Sequence, residues 1–464
     1  MARVVPGATG AAFDPLKHSQ PLGGALVFLG LARSIPLLHG AQGCTAFAKA
    51  LLTRHFREPI PLQTTAVTEV SAVLGASDSV IAALDTISER NHPDVIGVLT
   101  TGMTEVNGED LLGVLRTSPY GPAASVAPAA GHPLVVPVST PDFRGGLSDG
   151  WSAALEALVG AVPGAGTAPT RHRQVAVLVG PSLSAVDLDE IAGLVRAFGL
   201  DPVLVPDLSG SLDGHLDEAW SPLTTGGTSR SDLFGLTASG AVTVIGATAA
   251  GAGAALAARA GGRAALTVHD HLSGLEMVDR LVRMLMDHSG VPAPESVRRW
   301  RRRLADGLLD SHFVLGGARI ALAGEPEQLV AVGSLLYDAG AEIVAAVSPT
   351  DAPVLGRAPW DEVVVGDFLD LAERAAAAGA ELVVASSHGC EVADRIGAAH
   401  LALGFPVYDR LGAQLRATAG YRGSLQLLVD TANCLLDHRS GRRPEPGREP
   451  SATRSSRRYE DMRS

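Results

Sequence analysis

A cysteine in a glycine-containing turn is the residue of this sequence best placed to do chemistry. Cys44 lies between an apolar run that predicts a strand and a run from Thr45 to Leu52 that predicts a helix. Gly40 and Gly43 lie in the same turn, and glycine lets a bulky ligand approach the backbone. A cysteine at a helix start gains from unpaired amide groups, which stabilise the thiolate that acts as nucleophile or metal ligand. The alternative is a buried, apolar Cys44, which is common for free cysteines.

A second pattern, VTVIGATAAG, partly matches the glycine fingerprint of dinucleotide-binding folds. Gly246 and Gly251 occupy its outer glycine positions, and Asp270 ends the following strand about where a ribose-binding acid would stand. Thr248 takes the middle position, where a side chain obstructs the approach of the backbone to a pyrophosphate. A helix of small residues packed on its sheet is the favoured interpretation, and nucleotide binding is the alternative.

Two further polar groups could hold ligands. His269 and His271 alternate on a predicted strand, so both imidazoles would point to one face, but no third ligand is near in sequence. Ser386, Ser387 and His388 end another predicted strand, where open sheets carry ligands, although helix capping by the serines is the simpler interpretation. We favour structural roles for both groups.

Composition narrows the classes of function. The chain has 464 residues, of which 46% are hydrophobic, and a formal net charge of -12. This length suits about three domains of ~150 residues, and the acidic balance argues against nucleic acid and anionic membranes as partners. Three widely spaced cysteines and the lack of a secretory signal predict a cytoplasmic protein without disulfides. The uncharged span 233–258 could cross a bilayer by length but predicts a strand and a small-residue helix.

Strands that alternate with helices predict an α/β protein of three parallel-sheet units. The first unit is placed at residues 1–165, with residues 1–14 as a loose arm, and the second at 172–312 with a helical extension. The third unit is placed at 313–437, where EVADRIGAAHLALG predicts a helix. The basic residues 438–464 lack apolar periodicity and predict a disordered tail.

Several blocks of the sequence resemble a known family. The block from Pro15 to Gly75, which contains HGAQGCTAFAKALLTRHFREPIPLQTT, resembles the nitrogenase component 1 superfamily, and within it the N-type subunits of the scaffold for iron-molybdenum cofactor assembly. LTTGMTEVNGEDL, LLDSHFVLGGARIALAGEP, ASSHGCEVADRIG, GFPVYDRLG and GYRGSLQLLVDTAN extend the resemblance. It covers nearly everything from Pro15 to about Leu436.

The resemblance implies three Rossmann-like α/β domains and an α2β2 heterotetramer with the E subunit, NifE. On this scaffold an iron-molybdenum cofactor precursor, supplied by the donor NifB, is bound transiently and is held largely by the E subunit. Molybdenum and homocitrate enter with the help of the nitrogenase Fe protein, and the product passes to the catalytic nitrogenase component. The cysteine that matches Cys44 supplies one ligand to a 4Fe-4S cluster shared with the E subunit.

The placement of the cysteines agrees with a shared cluster. Gly102 stands where the catalytic β subunit has a P-cluster cysteine, and no cysteine lies between Cys44 and Cys390. Because a 4Fe-4S cluster generally takes four thiolates, a second chain would have to complete the shell around Cys44. Cys390 and Cys434 are expected in a loop and in a terminal helix, and not as ligands.

Two neighbours of Cys44 are candidates for weaker contacts to the cluster. Gln42 and Gly43 could offer backbone contacts to the cluster sulfurs, which tune the redox potential.

The main alternative function is a catalytic reductase subunit of the same superfamily, as in nitrogenase or the dark-operative protochlorophyllide reductase. Gly102 counts against nitrogenase, and the HFRE and PLQTT segments fit the scaffold better than the pigment enzyme. The other alternative is a nucleotide-binding oxidoreductase that uses Gly246 to Asp270.

Overall fold

Three parallel β-sheets flanked by helices form the protein. The computed structural model describes residues 1–8, 15–121, 132–164, 166, 169–215 and 221–441. Strands such as Val95–Thr100 and Leu382–Ala385 are buried along their whole length. Continuous apolar strands of this kind are typical of parallel sheets covered on both faces. The predicted fold class, α/β with three parallel sheets, is confirmed.

The first sheet lies in the part of the chain before residue 161. The elements here are β1 (Arg3–Pro6), α1 (Gln20–Leu29), β2 (Ser34–His39), α2 (Gln42–Phe56), β3 (Gln63–Thr64), α3 (Glu69–Leu74), α4 (Ser77–Asn91), β4 (Val95–Thr100), α5 (Gly102–Val106), α6 (Leu111–Arg116), β5 (Leu134–Val138) and α7 (Leu147–Ala161). The strand order is β3-β2-β4-β5, with every pair parallel. The carboxyl ends of these strands therefore meet at one edge, from which the turn containing Cys44 leaves.

The second sheet follows the same plan. Its elements are β6 (Arg171–Val179), α8 (Ala185–Ala197), β7 (Asp201–Val205), α9 (Arg230–Gly235), β8 (Ser239–Ile245), α10 (Ala250–Arg259) and β9 (Ala265–His269), followed by the long helices α11 (Leu275–Ser289) and α12 (Glu295–Leu315). The strand order is β7-β6-β8-β9. The connection after β6 leads to β7 on one side and the connection after β8 leads to β9 on the other, which creates a crevice between β6 and β8 at their carboxyl ends.

The third sheet has six strands. The remaining elements are β10 (Arg319–Ala323), α13 (Pro326–Asp338), β11 (Glu342–Ser348), β12 (Glu362–Val365), α14 (Phe368–Ala378), β13 (Leu382–Ala385), α15 (Gly389–Ile396), β14 (Ala399–Ala402) and α16 (Gly420–Arg439). The strand order is β1-β12-β11-β10-β13-β14. The sheet therefore takes its edge strand β1 from the opposite end of the sequence.

The structure corrects several predictions from the sequence. Arg3–Pro6 is a strand paired in parallel with Glu362–Val365, so it is not a loose arm. The predicted helix EVADRIGAAHLALG ends at Ile396, because Gly397 adopts a left-handed conformation (φ 69°), and the chain continues as β14. The helix α12 runs across the division placed between residues 312 and 313.

Other predictions concern the span 233–258 and the tail. The span contains the strand β8 and the small-residue helix α10, as predicted. Within the described residues, no helix is long and apolar enough to cross a membrane. Helix α16 continues to Arg439, two residues into the predicted tail, and residues 442–464 lie outside the described part of the chain.

A buried carboxylate joins the second unit to the segment before the last helix. Asp187, in the first turn of α8, is fully buried. Its carboxylate accepts hydrogen bonds from the amides of Thr418 (2.6 Å), Ala419 (2.7 Å) and Ser184 (3.0 Å), and from the Thr418 hydroxyl (2.9 Å). These donors satisfy a charge that would otherwise be costly to bury.

We expect Asp187→Ala to lower the free energy of unfolding by about 3 kcal/mol, because it leaves the buried amides of Thr418 and Ala419 without an acceptor. Urea unfolding of the full-length chain measures the change. The matched control is Asp306→Ala, since Asp306 is exposed on α12, and its effect should stay below ~0.5 kcal/mol. Equal effects of the two substitutions would contradict this role for Asp187.

Candidate functional site

Cys44 lies exposed in the first turn of α2. This helix begins at Gln42, three residues earlier than predicted, so Gly43 is helical and not part of a loop. Ala41, which precedes the helix, has no side chain that could cap the first-turn amides. Gln42, Gly43 and Cys44 are all exposed. The exposed thiol therefore lies at the amino end of a helix of 15 residues.

The turn that carries Cys44 is packed tightly against the turn that follows the neighbouring strand β4. The hydroxyl of Thr101 donates a hydrogen bond to the carbonyl of His39 at 3.0 Å. A Cβ atom at Gly40 would lie 2.6 Å from the Thr101 side chain, so only glycine allows this approach. Gly43 is different, because a Cβ atom there would meet nothing within 4 Å. The space over the first turn of α2 is open.

A buried histidine fixes the end of the strand from which this turn leaves. His39 Nε2 lies 2.7 Å from a carboxylate oxygen of Glu109, and its Nδ1 lies 3.0 Å from the hydroxyl of Thr65. The other carboxylate oxygen of Glu109 accepts a hydrogen bond from the amide of Ala76 at 3.1 Å. Sequence reasoning missed this group. The polar residues His39 and Glu109, each next to an apolar run, were the only signal.

Gly102 faces a carboxylate. The amide of Gly102 approaches Asp142 Oδ2 at 3.4 Å, and a Cβ atom at Gly102 would lie 3.3 Å from the Asp142 Cβ. Burial raises the pKa of Asp142 above its usual range. The residue that faces Gly102 in this chain therefore carries oxygen ligands and no thiol.

The remaining cysteines are poorly suited to bind a metal. All three cysteines are free, and only Cys44 is exposed. Burial raises the pKa of both Cys390 and Cys434, which disfavours their thiolates. Cys390 is the second residue of α15, so its predicted loop position is wrong, whereas Cys434 lies in α16 as predicted. Within the described ranges, no group of three His, Cys, Asp or Glu residues could hold a metal ion.

Large apolar side chains are exposed on the segments that follow the strands of the first sheet. The side chain of Phe47, one turn along α2 from Cys44, is 82% exposed. Among the described residues, the other large exposed apolar side chains on these segments are those of Val70, Val106, Leu112 and Phe143. Large apolar side chains left exposed on segments that follow the strands of one sheet favour a surface that a partner covers. We call these five residues the apolar rim.

The opposite end of α2 is held by the third unit. His55 Nδ1 accepts a hydrogen bond from the amide of Val407 at 3.0 Å, and Arg57 donates to the carbonyl of Tyr408 at 2.7 Å. The Arg54 guanidinium lies 3.9 Å from the centre of the Tyr408 ring. The helix therefore connects the exposed thiol to the packed interior.

The partial dinucleotide fingerprint does not form an open site. Gly246 has the positive φ (113°) that a glycine turn requires, but the amide of Thr248 donates to a carboxylate oxygen of Glu327 at 3.2 Å. Glu327 belongs to the third unit and is 1% exposed. Its carboxyl group takes the position at which dinucleotide-binding folds hold a phosphate. This arrangement argues against nucleotide binding at the fingerprint.

The other candidate ligands have structural surroundings. The strand β9 ends at His269, so His271 lies beyond it, and burial lowers the pKa of both to about 4. The serines after β13 do not cap α15 with their side chains. The hydroxyl of Ser387 instead bonds to the Asp409 carboxylate and accepts from the amide of Tyr408 at 2.9 Å.

Comparison with known proteins agrees with this fold. The profile of the family described as nitrogenase component 1 type oxidoreductase matches residues 19–436. A protein from Rippkaea orientalis, named nitrogenase iron-molybdenum cofactor biosynthesis protein NifN, is 44% identical and covers 91% of this chain and 94% of its own. Its namesake from Klebsiella pneumoniae is 38% identical, with coverages of 92% and 91%. A solved structure of nitrogenase Cp1 at pH 6.5 is 26% identical, has a TM-score of 0.85, and covers 94% and 96%.

The sheet arrangement and the likeness to nitrogenase Cp1 define a protein with the nitrogenase component 1 fold. With a matching profile over 19–436 and relatives about 40% identical over most of their length, the chain belongs to the nitrogenase component 1 family. The resemblance to the NifN members of this family, predicted from the block around Cys44, is confirmed.

Because of two buried carboxyl groups, we expect the chain to lose stability as the pH rises from 4.5 to about 7. Burial raises the pKa of Glu325 and of Glu327 from 4.5 to about 7. The folded chain therefore keeps protons that the unfolded chain releases, so the stabilisation is complete below pH 4.5 and is lost as the pH approaches 7. The carboxyls of Asp149 and Asp270 act in the same direction.

Thermal unfolding of the full-length chain between pH ~5 and pH ~8 tests this linkage, and the midpoint should fall over that range. Glu327→Gln removes one titrating group of nearly the same shape and should flatten the dependence. Glu342→Gln, at an exposed position, should leave it unchanged. The same slope in Glu327→Gln as in the native chain would contradict the assignment.

Proposed function

We propose that the chain is the N subunit of a scaffold on which the iron-molybdenum cofactor precursor of nitrogen fixation is matured. Cys44 contributes one ligand to a 4Fe-4S cluster shared with an E subunit. One observation carries this proposal: the only exposed cysteine stands at the start of α2, and no metal-binding group of three residues exists in the described part of the chain. A cluster at this thiol needs ligands from a second chain.

The relatives support the proposed role. Proteins named for iron-molybdenum cofactor biosynthesis match more than nine tenths of this chain. The catalytic alternative, a reductase subunit of the same family, is less well supported, because Gly102 and Asp142 stand together where the resemblance places a cluster cysteine in the catalytic β subunit. A scaffold that shares one smaller cluster with its partner fits this ligand set better.

Each residue at the start of α2 has a part in the proposed site. Cys44 would bind iron through its sulfur as the thiolate, the form in which cysteine ligates metals. The amides of Gln42 and Gly43 would face the cluster sulfurs, and the open space beside Gly43 leaves room for them. When bound, such a cluster relays single electrons. The apolar rim would exclude water once the partner covers it.

The proposed partners follow from this role. The E subunit, NifE, would cover the apolar rim and complete an α2β2 heterotetramer. The nitrogenase Fe protein would dock on the assembled complex, NifB would donate the precursor, and the catalytic nitrogenase component would accept the product. We place this assembly in the cytoplasm, with no role for nucleic acid or membranes.

The transiently bound precursor is proposed to lie mainly in the E subunit. In this chain, the cavity at the junction of the three units has a volume of 80 Å³. It is lined by His55, Glu325, Gln328 and Phe405, among others. We assign no ligand of the precursor to this chain. We also propose that the chain divides into units at 1–165, 172–312 and 313–437, and residues of all three line this cavity.

We expect Cys44→Ala to abolish the shared cluster. The full-length chain, purified without oxygen together with its E partner, should contain a 4Fe-4S cluster that the chain alone lacks. Iron analysis and EPR spectroscopy measure the cluster, and the substitution should remove or perturb its signal because one of four ligands is lost. An unchanged iron content and spectrum in Cys44→Ala would show that Cys44 is structural.

Gly43→Ala serves as the matched variant in the same experiment. The added methyl group meets no atom within 4 Å, and the helical backbone accepts alanine, so the chain itself should fold normally. Iron content should persist while the midpoint potential of the cluster shifts, because the methyl group enters the space beside the sulfurs. An unchanged potential would remove Gly43 from the site.

We also expect Phe47→Ser to weaken the complex with the E subunit by at least about tenfold, as for a central aromatic residue of an interface. The isolated chain should keep its stability, because the Phe47 side chain is already 82% exposed. Analytical ultracentrifugation with the E subunit measures the affinity. Phe313→Ser is the control, since Phe313 is 89% exposed on α12, which is not one of the segments that carry the apolar rim. An equal loss in both variants, or in neither, would contradict an interface at the rim.

A further inference from the structure

The crevice between β6 and β8 is shaped around a side chain from the third unit. Gly180 follows β6 and Gly246 follows β8, and the Gly180 amide donates to the Ile245 carbonyl at 2.9 Å, so the two turns lie side by side. A Cβ atom at Gly180 would lie 2.3 Å from a carboxylate oxygen of Glu327, and one at Gly246 would lie 2.6 Å from the other. Both glycines therefore make room for this carboxyl group.

Both oxygens of this carboxyl group have donors from the second unit. The hydroxyl of Ser182 donates to one oxygen of Glu327 at 2.5 Å, and the amide of Thr248 donates to the other at 3.2 Å. The carboxylate of Asp270, which helps to raise the pKa of Glu327, forms an ion pair with Arg357 at 2.8 Å. Glycine turns, a serine hydroxyl and a backbone amide at a sheet crevice are the features with which α/β domains bind the acidic group of a ligand.

The turn at the start of α13 carries a second buried carboxyl group, which contacts the first unit. Glu325, two residues before Glu327, is also buried, and it accepts hydrogen bonds from the hydroxyl (2.5 Å) and the amide (3.3 Å) of Ser148 in the first unit. One turn at the start of α13 thus places one carboxyl group in the first unit and one in the second.

We propose that the crevice between β6 and β8 is a carboxyl-binding site whose ligand is the chain's own Glu327. In this position Glu327 docks the third unit on the second and keeps phosphate-bearing ligands out of the crevice. The inference does not depend on the proposed function at Cys44. It assigns to the second unit a ligand site that is filled from within the molecule.

Chemical rescue tests the proposal on the full-length chain. Glu327→Ala removes a group the size of acetate and leaves the donors of Ser182 and Thr248 without an acceptor. Acetate should therefore raise the thermal unfolding midpoint of Glu327→Ala by a few degrees at pH ~8, relative to chloride at equal ionic strength. The native chain and Glu327→Gln, in which the site is already filled, should show no such shift.

Hydrogen exchange shows which residues acetate stabilises in Glu327→Ala. Acetate should restore protection in Glu327→Ala at residues 180–184 and 246–250, the two turns that line the crevice. A rescue that is absent, or equal in all three proteins, overturns the proposal. If Glu327→Ala cannot be recovered folded, the cycle of Ser182→Ala, Glu327→Gln and the double variant decides the question. Non-additive shifts of the unfolding midpoint support direct contact in the site, and additive shifts overturn it.

Discussion

Buried carboxyl groups that accept hydrogen bonds across unit boundaries determine how the three sheets of this protein sit together. Asp187 joins the second unit to the segment before α16, while Glu325 and Glu327 reach from the third unit into the first and second. Apolar contacts could be made in many relative orientations, but a buried carboxyl group tolerates only the one that satisfies its oxygens. The cost of burying these groups is offset only in the native arrangement, so they make that arrangement specific.

The junction between the units also affects the exposed thiol, because α2 extends from Cys44 to the contacts with the third unit. Cys44 stands at the surface end of the helix, and His55 and Arg57 at the opposite end are bonded to Val407 and Tyr408 of the third unit. The helix itself is held at its start by the packing of Gly40 against Thr101. The position of the Cys44 thiol in the first unit therefore depends on contacts made by the third.

Much of the fold could be predicted from the sequence, because parallel strands buried on both faces are continuous apolar runs, as in VIGVLT of β4. Cys44 could be placed at a helix start for the same local reasons. The predictions that failed depend on contacts between residues far apart in the sequence. The short strand β1 finds its partner 359 residues away, β14 consists of the helix-favouring sequence AHLA, and the acidic residue that fills the glycine turn comes from another unit. No local pattern encodes these contacts.

The edge strand β1 has a consequence for how the chain is made. Arg3–Pro6 leaves the ribosome before the first two sheets, yet its partner Glu362–Val365 is synthesised 359 residues later. At about 5–20 residues per second, this segment waits on the order of 20–70 s while the first two sheets form. Until then its backbone donors and acceptors are available to other strands. The third sheet is therefore completed only after the first two sheets have been synthesised, and its closure pairs a segment made before them with one made after them.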